Sequence, residues 1–223
     1  MQERYRADYD GEFVILNTRV VDGEKIQDKE WIANPIENQH ISSRAAIIGH
    51  GISRSDFKIK HIENHRGGLL GSKKLQTYGA QGCWQEIVCN FYVENNLELL
   101  PSLIESKYTE KTICYSSVKG CVQYPGEFYL IPYNQRLTSI ATAMYIAAFD
   151  GHRELFLLGV DGTADSTSEI ENASHVASIC KVLAAYSNTK FVFVSNRTVS
   201  SEFRKYSNVQ SMNYREWISY CDV

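Results

Sequence analysis

No stretch of this 223-residue chain approaches the roughly 20 consecutive apolar residues that a membrane span requires. The opening residues, Met1-Gln-Glu-Arg-Tyr-Arg-Ala-Asp8, lack the apolar core of a secretory signal, so a cytoplasmic location is expected. With only 4 prolines, 43% hydrophobic and 22% charged residues, the chain carries no collagenous, disordered or coiled-coil bias. An excess of positive charge is missing too. The formal net charge is -3, so any nucleic-acid contact must come from a local basic patch. The 6 cysteines form no Cys-x-x-Cys pair and no metal-type spacing, which implies reduced, mostly buried thiols. A Gly-x-Ser-x-Gly nucleophile elbow is absent, and no internal repeat is visible. A chain of this length fits one domain over residues 1–223 better than two, with 1–40 as an N-terminal hairpin and connector.

What is present is an alternation of strand and helix patterns. Residues 12–21 and 24–32 read as two strands about an Asp22-Gly23 type I′ turn, followed by a polar connector at 34–41. Arg44-Ala-Ala-Ile-Ile48 reads as a buried strand running into the turn Gly49-His50-Gly51. Residues 63–85, rich in glycine and cations, show neither period and are expected to form a long loop. Strands are expected at 86–93 and 111–115 around a helix at 94–107. Residues 138–150 are apolar nearly all round and stop at Gly151, predicting a buried helix that feeds a central strand at 154–160. Ser168-Glu-Ile-Glu171 has capping-box spacing ahead of an amphipathic helix with Val176, Ile179, Cys180 and Leu183 on one face, and a strand follows at 190–194. Such alternation implies an α/β fold: a single Rossmann-type domain with a mainly parallel sheet flanked by helices.

Ligands of open α/β sheets bind beyond the carboxyl ends of the strands, which directs attention to the loops after Ile48, Leu130 and Val160. Gly49, His50, Gly51 and Ser53 could let backbone approach a phosphate or ribose, although a tight strand-to-helix turn needs the same glycines. Asn134, Gln135 and Arg136, with Thr138 and Ser139, cluster amide, guanidinium and hydroxyl groups at a helix N-terminus. That suits an anion clamp, or simply a helix cap. Gly159 and Asp161 close the central strand with a carboxylate suited to a sugar hydroxyl, or to an Asx-turn. A phosphatase of the haloacid type does not fit, because Gly159 occupies the place of its nucleophilic aspartate. His175, in the first turns of a helix after a candidate loop, could take a proton from an acceptor hydroxyl, or lie on the surface. The Asp8-Tyr9-Asp10 triplet has a metal-binding pattern but precedes the first hairpin, so no metal is expected to be obligatory.

The segment from Tyr133-Asn-Gln-Arg-Leu-Thr-Ser139 through Gly151-His-Arg-Glu-Leu-Phe-Leu-Leu-Gly-Val-Asp161 resembles the bacterial sialyltransferases of glycosyltransferase family 42. Gly49-His-Gly51-Ile-Ser53 is similar to that family's turn Gly-Asn-Gly-Pro-Ser, with His50 in place of the asparagine. The resemblance implies a GT-A-like fold, a nucleotide-sugar co-substrate and a catalytic histidine, matched here by His175. The departure at His50 leaves the donor open between CMP- and UDP-sugars, with UDP favoured. Residues 5–11, 34–42 and 65–78 are also similar to bacteriophage DNA glycosyltransferases of the T-even type. That second resemblance implies 5-hydroxymethylcytosine in duplex DNA as acceptor, in a host cytoplasm, with UDP-glucose or UDP-arabinose as donor. Arg54, Lys58, Lys60, Arg66, Lys73 and Lys74 would then meet phosphates, and Trp84 with Tyr78 would stack on or wedge beside a base. A solvated loop and core aromatics are the plainer alternatives. Under the enzyme reading His175, Asp161 and Arg136 carry catalysis. The rival expectations are a glycan sialyltransferase using CMP-sialic acid, a nucleotide-dependent diphosphokinase, and a catalytically silent nucleotide- or DNA-binding protein.

Overall fold

The structure, a computed structural model, describes residues 2–6, 13–32, 44–58, 75–132, 136–161 and 169–221. An antiparallel sheet comes first: β1 (Gln2–Arg6), β2 (Phe13–Val21) and β3 (Glu24–Ile32), paired in that order. Asp22 and Gly23 join β2 to β3 with φ of 53° and 84°, the left-handed pair that the Asp-Gly turn predicts. β1 extends the expected hairpin to three strands, pairing Gln2 with Asn17 and Arg6 with Phe13.

The main sheet has eight strands. In chain order these are β4 (Arg44–Ile48), β5 (Leu75–Ala80), β6 (Phe91–Glu94), β7 (Ile113–Ser116), β8 (Tyr129–Leu130), β9 (Glu154–Leu158), β10 (Lys190–Val194) and β11 (Val209–Met212). Their spatial order is β11-β10-β9-β4-β5-β6-β7-β8, and every neighbouring pair is parallel. From β4 the chain builds outward to β8, then returns to the other side of β4 and builds β9 to β11. The boundary between β4 and β9 is therefore a topological switch point, where a crevice opens at the carboxyl ends.

Among the described residues five α-helices cover the sheet: α1 (Leu100–Glu105), α2 (Val118–Gln123), α3 (Ser139–Phe149), α4 (Glu169–Ala185) and α5 (Tyr214–Cys221). Helices α3 and α4 bury their apolar side chains with Ile47, Tyr78, Phe91, Leu157 and Phe193 on one face. On the opposite face Leu100, Leu103, Cys121 and Trp217 from α1, α2 and α5 pack with Ile48, Tyr92, Phe156 and Val194. Strands clothed on both faces need apolar residues at successive positions, which is why Phe191-Val-Phe-Val194 shows no polar alternation. Residues 139–148 of α3 are all buried. The helix ends in a Schellman turn: Gly151 (φ 93°) donates to the Ala148 carbonyl and His152 to that of Ala147.

The α/β, mainly parallel arrangement agrees with the sequence pattern, while three local expectations need correction. Within residues 63–85, expected to be irregular, 75–80 form β5, a buried central strand. Its polar residues disguise it and are satisfied internally. The Gln76 side chain meets His152 at 3.0 Å, and the Thr77 amide donates to Asn90 Oδ1 at 3.0 Å. At Gly79 an added Cβ would lie 2.7 Å and 2.8 Å from the sulfurs of Cys83 and Cys89. The strand expected at 86–93 starts only at Phe91, after a 3-10 turn at Cys83–Gln85. The helix expected over 94–107 is confined to α1, with Pro101 in its first turn. All six cysteines are free thiols and five are buried. Among the described residues no helix is long and apolar enough to cross a membrane.

Candidate functional site

At the switch point the loops after β4 and β9 interlock. The Gly49 amide donates to the Leu158 carbonyl at 2.9 Å, and the Gly51 amide donates to that of Gly159 at 2.8 Å. The Ser53 amide donates to Asp161 Oδ2 at 2.5 Å. No side chain fits between these backbones: a Cβ on Gly51 would lie 2.8 Å from both Gly159 O and Asp161 Oδ2. Gly159 itself has φ +68°. The glycine spacing is thus required by the close approach of one loop to the other, and the amides of Gly49, Gly51 and Ser53 are already used within the protein. The Ser53 hydroxyl, in a residue only 1% exposed, has no hydrogen-bond partner among the described residues.

His175 lies half-buried on α4 and feels the charge of Asp161. Burial pushes its imidazole below the ordinary value, while the Asp161 carboxylate works in the opposite direction. The ring is therefore held neutral, the form a general base needs, with a carboxylate near enough to stabilise the imidazolium formed on proton capture.

The first turn of α3 borders the same crevice, since Ile140 Cδ1 lies 3.1 Å from where a Gly49 Cβ would be. Thr138 is the N-cap, with φ -66° and ψ 160°, yet its side chain makes no capping bond and its buried Oγ1 is unpartnered. Ser139, expected at the donor site, is committed elsewhere: it donates to Glu94 Oε1 at 3.1 Å and accepts the Asn95 amide at 3.0 Å. Glu94, 2% exposed at the end of β6, also accepts from the Asn96 amide (2.9 Å) and the Tyr92 hydroxyl (3.2 Å). Burial raises its carboxyl above the ordinary value despite those bonds. Asn95 donates to the Leu137 carbonyl and to Thr142, leaving its buried Oδ1 unpartnered. Arg136 is exposed with φ 50°, whereas Asn134 and Gln135 lie outside the described residues.

A cleft of about 440 Å³ opens on the other side of Asp161, at the ends of β9 and β10. Ile52, Asp161, Phe193, Arg197, Ser200 and Arg204 are among the residues that line it. The loop after Val194 is not among those singled out from sequence. Its composition, Ser195-Asn-Arg-Thr-Val-Ser-Ser-Glu-Phe-Arg204 directly after a central strand, is the pattern that could have marked it. Beside it Asp56, Lys58, Asn196, Asn213, Tyr214 and Arg215 line a shallower depression of about 720 Å³.

Of the residues expected to meet DNA, Arg54, Lys58, Tyr78 and Trp84 are among those described. Arg54 points inward, its side chain 11% exposed, lying 4.4 Å over the Phe57 ring and paired with Glu86. Its charge serves the turn after β4 and is withheld from a phosphate. Tyr78 is fully buried: it stacks on Phe91 at 4.7 Å and donates to Asp150 at 2.6 Å, so it cannot meet a displaced base. Trp84 is half-buried and edge-on to Tyr108 at 6.3 Å, with a buried, unpartnered Nε1. His50 is largely exposed, its Nδ1 3.8 Å from Glu86. The Asp8-Tyr9-Asp10 triplet, Lys60, Arg66, Lys73, Lys74 and the Ser168 capping position lie outside the described residues. Among the described residues no group of three or more His, Cys, Asp or Glu side chains is arranged to hold a metal.

No protein family matches the chain, and no curated protein aligns with it. Among solved structures, a mutant of the alpha-2,3/8-sialyltransferase CstII is similar at 18% identity and a TM-score of 0.42, over 67% of this chain and 80% of that one.

Proposed function

We propose that the protein is a glycosyltransferase in which Asp161 and His175 act at the switch point between β4 and β9. The observation that carries this reading is the placement of Asp161: its Oδ2 accepts the Ser53 amide, it borders a cleft large enough for a sugar, and its charge reaches the half-buried imidazole of His175, whose pKa burial lowers. The donor's phosphate sits at the first turn of α3, where the first helix amides have no intrahelical acceptor and the Thr138 hydroxyl is unpartnered. His175 takes the proton of the acceptor hydroxyl as its oxygen attacks the anomeric carbon, and the bond to the nucleotide phosphate breaks. Arg136 and the α3 amides offset charge on the departing phosphate.

Within this proposal the donor is a nucleotide sugar, UDP-linked in preference to CMP-linked, and the acceptor is the hydroxyl of 5-hydroxymethylcytosine in bacteriophage DNA. Both finer points rest on the sequence resemblances of the segments around residues 49–53, 65–78 and 133–161. A single-domain, cytoplasmic enzyme completes the reading. The test is to incubate the protein with a panel of UDP- and CMP-sugars and hydroxymethylated duplex DNA, then weigh the released nucleosides. A hexose or pentose mass increment supports the reading. Nucleosides of unchanged mass with every donor, in the absence of nucleotide release, would overturn it.

A further inference from the structure

The cleft at the ends of β9 and β10 carries a charge pattern of its own. Two guanidinium groups, Arg197 and Arg204, border it, against one carboxylate among the described residues, that of Asp161, which already accepts the Ser53 amide. Arg204 makes no ion pair with a described residue, because its neighbour Glu202 is taken by Lys205 at 2.7 Å. Arg197 is 53% exposed, and its one ion pair among the described residues is a loose 3.9 Å approach to Asp56. Asp56 in turn accepts the Asn196 amide at 3.3 Å. Two guanidinium forks are therefore largely unspent beside the hydroxyls of Thr198, Ser200 and Ser201 and over an apolar floor of Ile52 and Phe193. Guanidinium and hydroxyl donors at the mouth of an apolar pocket match an anionic oxygen group attached to a ring or chain.

The order of strands says which substrate this group belongs to. Across the sheet, β10 and β9 hold the cleft, β9 and β4 hold the interlocked glycines with Asp161, and the α3 N-terminal turn rests by Glu94 at the end of β6. From β6 to β9 is three strand spacings, about 14 Å at about 4.8 Å each. Asp161 thus stands between two binding regions, and the helix terminus serves the donor in the proposed function. Resting on that reading, we infer that the β9–β10 cleft is the acceptor pocket and that Arg197 and Arg204 bind a phosphate group of the acceptor. Lys58 and Arg215 in the neighbouring depression prolong this row of cations along the carboxyl edge of β10 and β11, as a phosphodiester chain would use it.

The experiment measures three affinities in the native protein and in Arg197→Ala/Arg204→Ala: inorganic phosphate by calorimetry, a short fluorescein-labelled oligothymidylate by anisotropy, and UDP and CMP by thermal shift. Both arginines are exposed, so the double variant should melt with the native protein, and Lys107→Ala, another exposed cation, serves as a control. The expected result is a loss of about tenfold or more in phosphate affinity, with the nucleotide shift unchanged. Oligothymidylate binding that falls in parallel and weakens steeply with salt identifies a nucleic-acid acceptor; phosphate binding alone identifies a small phosphorylated acceptor. Undiminished phosphate and oligonucleotide binding in the double variant overturns the inference. So does loss of the nucleotide shift in that variant, which would make the cleft the donor's phosphate site. A native protein that binds phosphate through these arginines yet shows no shift with either nucleotide would sink the glycosyltransferase reading and leave the anion site standing.

Discussion

The carbonyl oxygen of Gly159 lies where a methyl group on Gly49 would have to go: only 2.5 Å separates the oxygen from the Cβ position. The reverse contact is nearly as tight, with a Gly159 Cβ placed 2.8 Å from Gly49 O and a φ of +68° that disfavours any side chain. Gly49→Ala is expected to destabilise the fold by about 1–3 kcal/mol, as overpacking against backbone does. Gly159→Ala adds strain of about 1 kcal/mol or more from its left-handed backbone. Urea midpoints measure both. A midpoint unchanged by Gly49→Ala would mean that the two loops are not locked together.

The acid limb of the activity profile should report His175. Since burial lowers its pKa, the ring stays neutral below the ordinary histidine value of 6.5, and turnover is lost only at still lower pH. The Asp161 charge opposes that shift, so Asp161→Asn should move the limb further down, while His175→Ala should reduce turnover by about a hundredfold. A limb that stays in place in Asp161→Asn would show that the two residues are not coupled.

Thr138 and Ser139 are adjacent but should behave oppositely. Ser139→Ala removes a donor to buried Glu94 and the acceptor of the Asn95 amide, and should lower stability by about 1–3 kcal/mol with nucleotide affinity retained. Thr138→Ala deletes a hydroxyl with no partner in the protein, so stability should hold while the thermal shift caused by nucleotide shrinks. The reverse pattern would move the donor's phosphate away from this helix terminus.

How far the sequence speaks for itself depends on where polar atoms find partners. The segments 139–149 and 190–194 are legible because burial on all sides demands unbroken apolar composition. β5 is not, because Gln76 and Thr77 find their partners in His152 and Asn90, far along the chain. α5 escapes notice although Asn213 and Glu216 exchange the reciprocal 2.9 Å bonds of a capping box, a motif that short sequences also contain by chance. At the site, Gly49, Gly51, Gly159 and Asp161 are found by glycine and carboxylate placement at strand ends. Glu94 and Asn95 are invisible because a buried carboxylate declares itself only through its donors.

Acid should act on two glutamates in opposite senses. Burial tends to raise the pKa of Glu154, but bonds from Lys190 (2.8 Å) and Arg44 (3.0 Å) outweigh it and hold the carboxyl below its ordinary value of 4.5. The unfolded chain then takes the proton first, so this cluster stabilises the protein above pH 4.5 and its contribution fades as pH falls through the lowered native value. Glu94 has a raised native value, so the folded state takes its proton first and gains stability as pH falls toward 4.5. Stability measured by urea unfolding across this range should lose its acid slope below pH 4.5 in Glu154→Gln, because the titrating group is gone. Glu94→Gln should remove the gain above pH 4.5 and hold or raise stability at neutral pH, since an amide is easier to bury than a carboxylate. An acid slope that survives Glu154→Gln would show that Lys190 and Arg44 do not hold this carboxylate in solution, and that another carboxylate governs unfolding by acid.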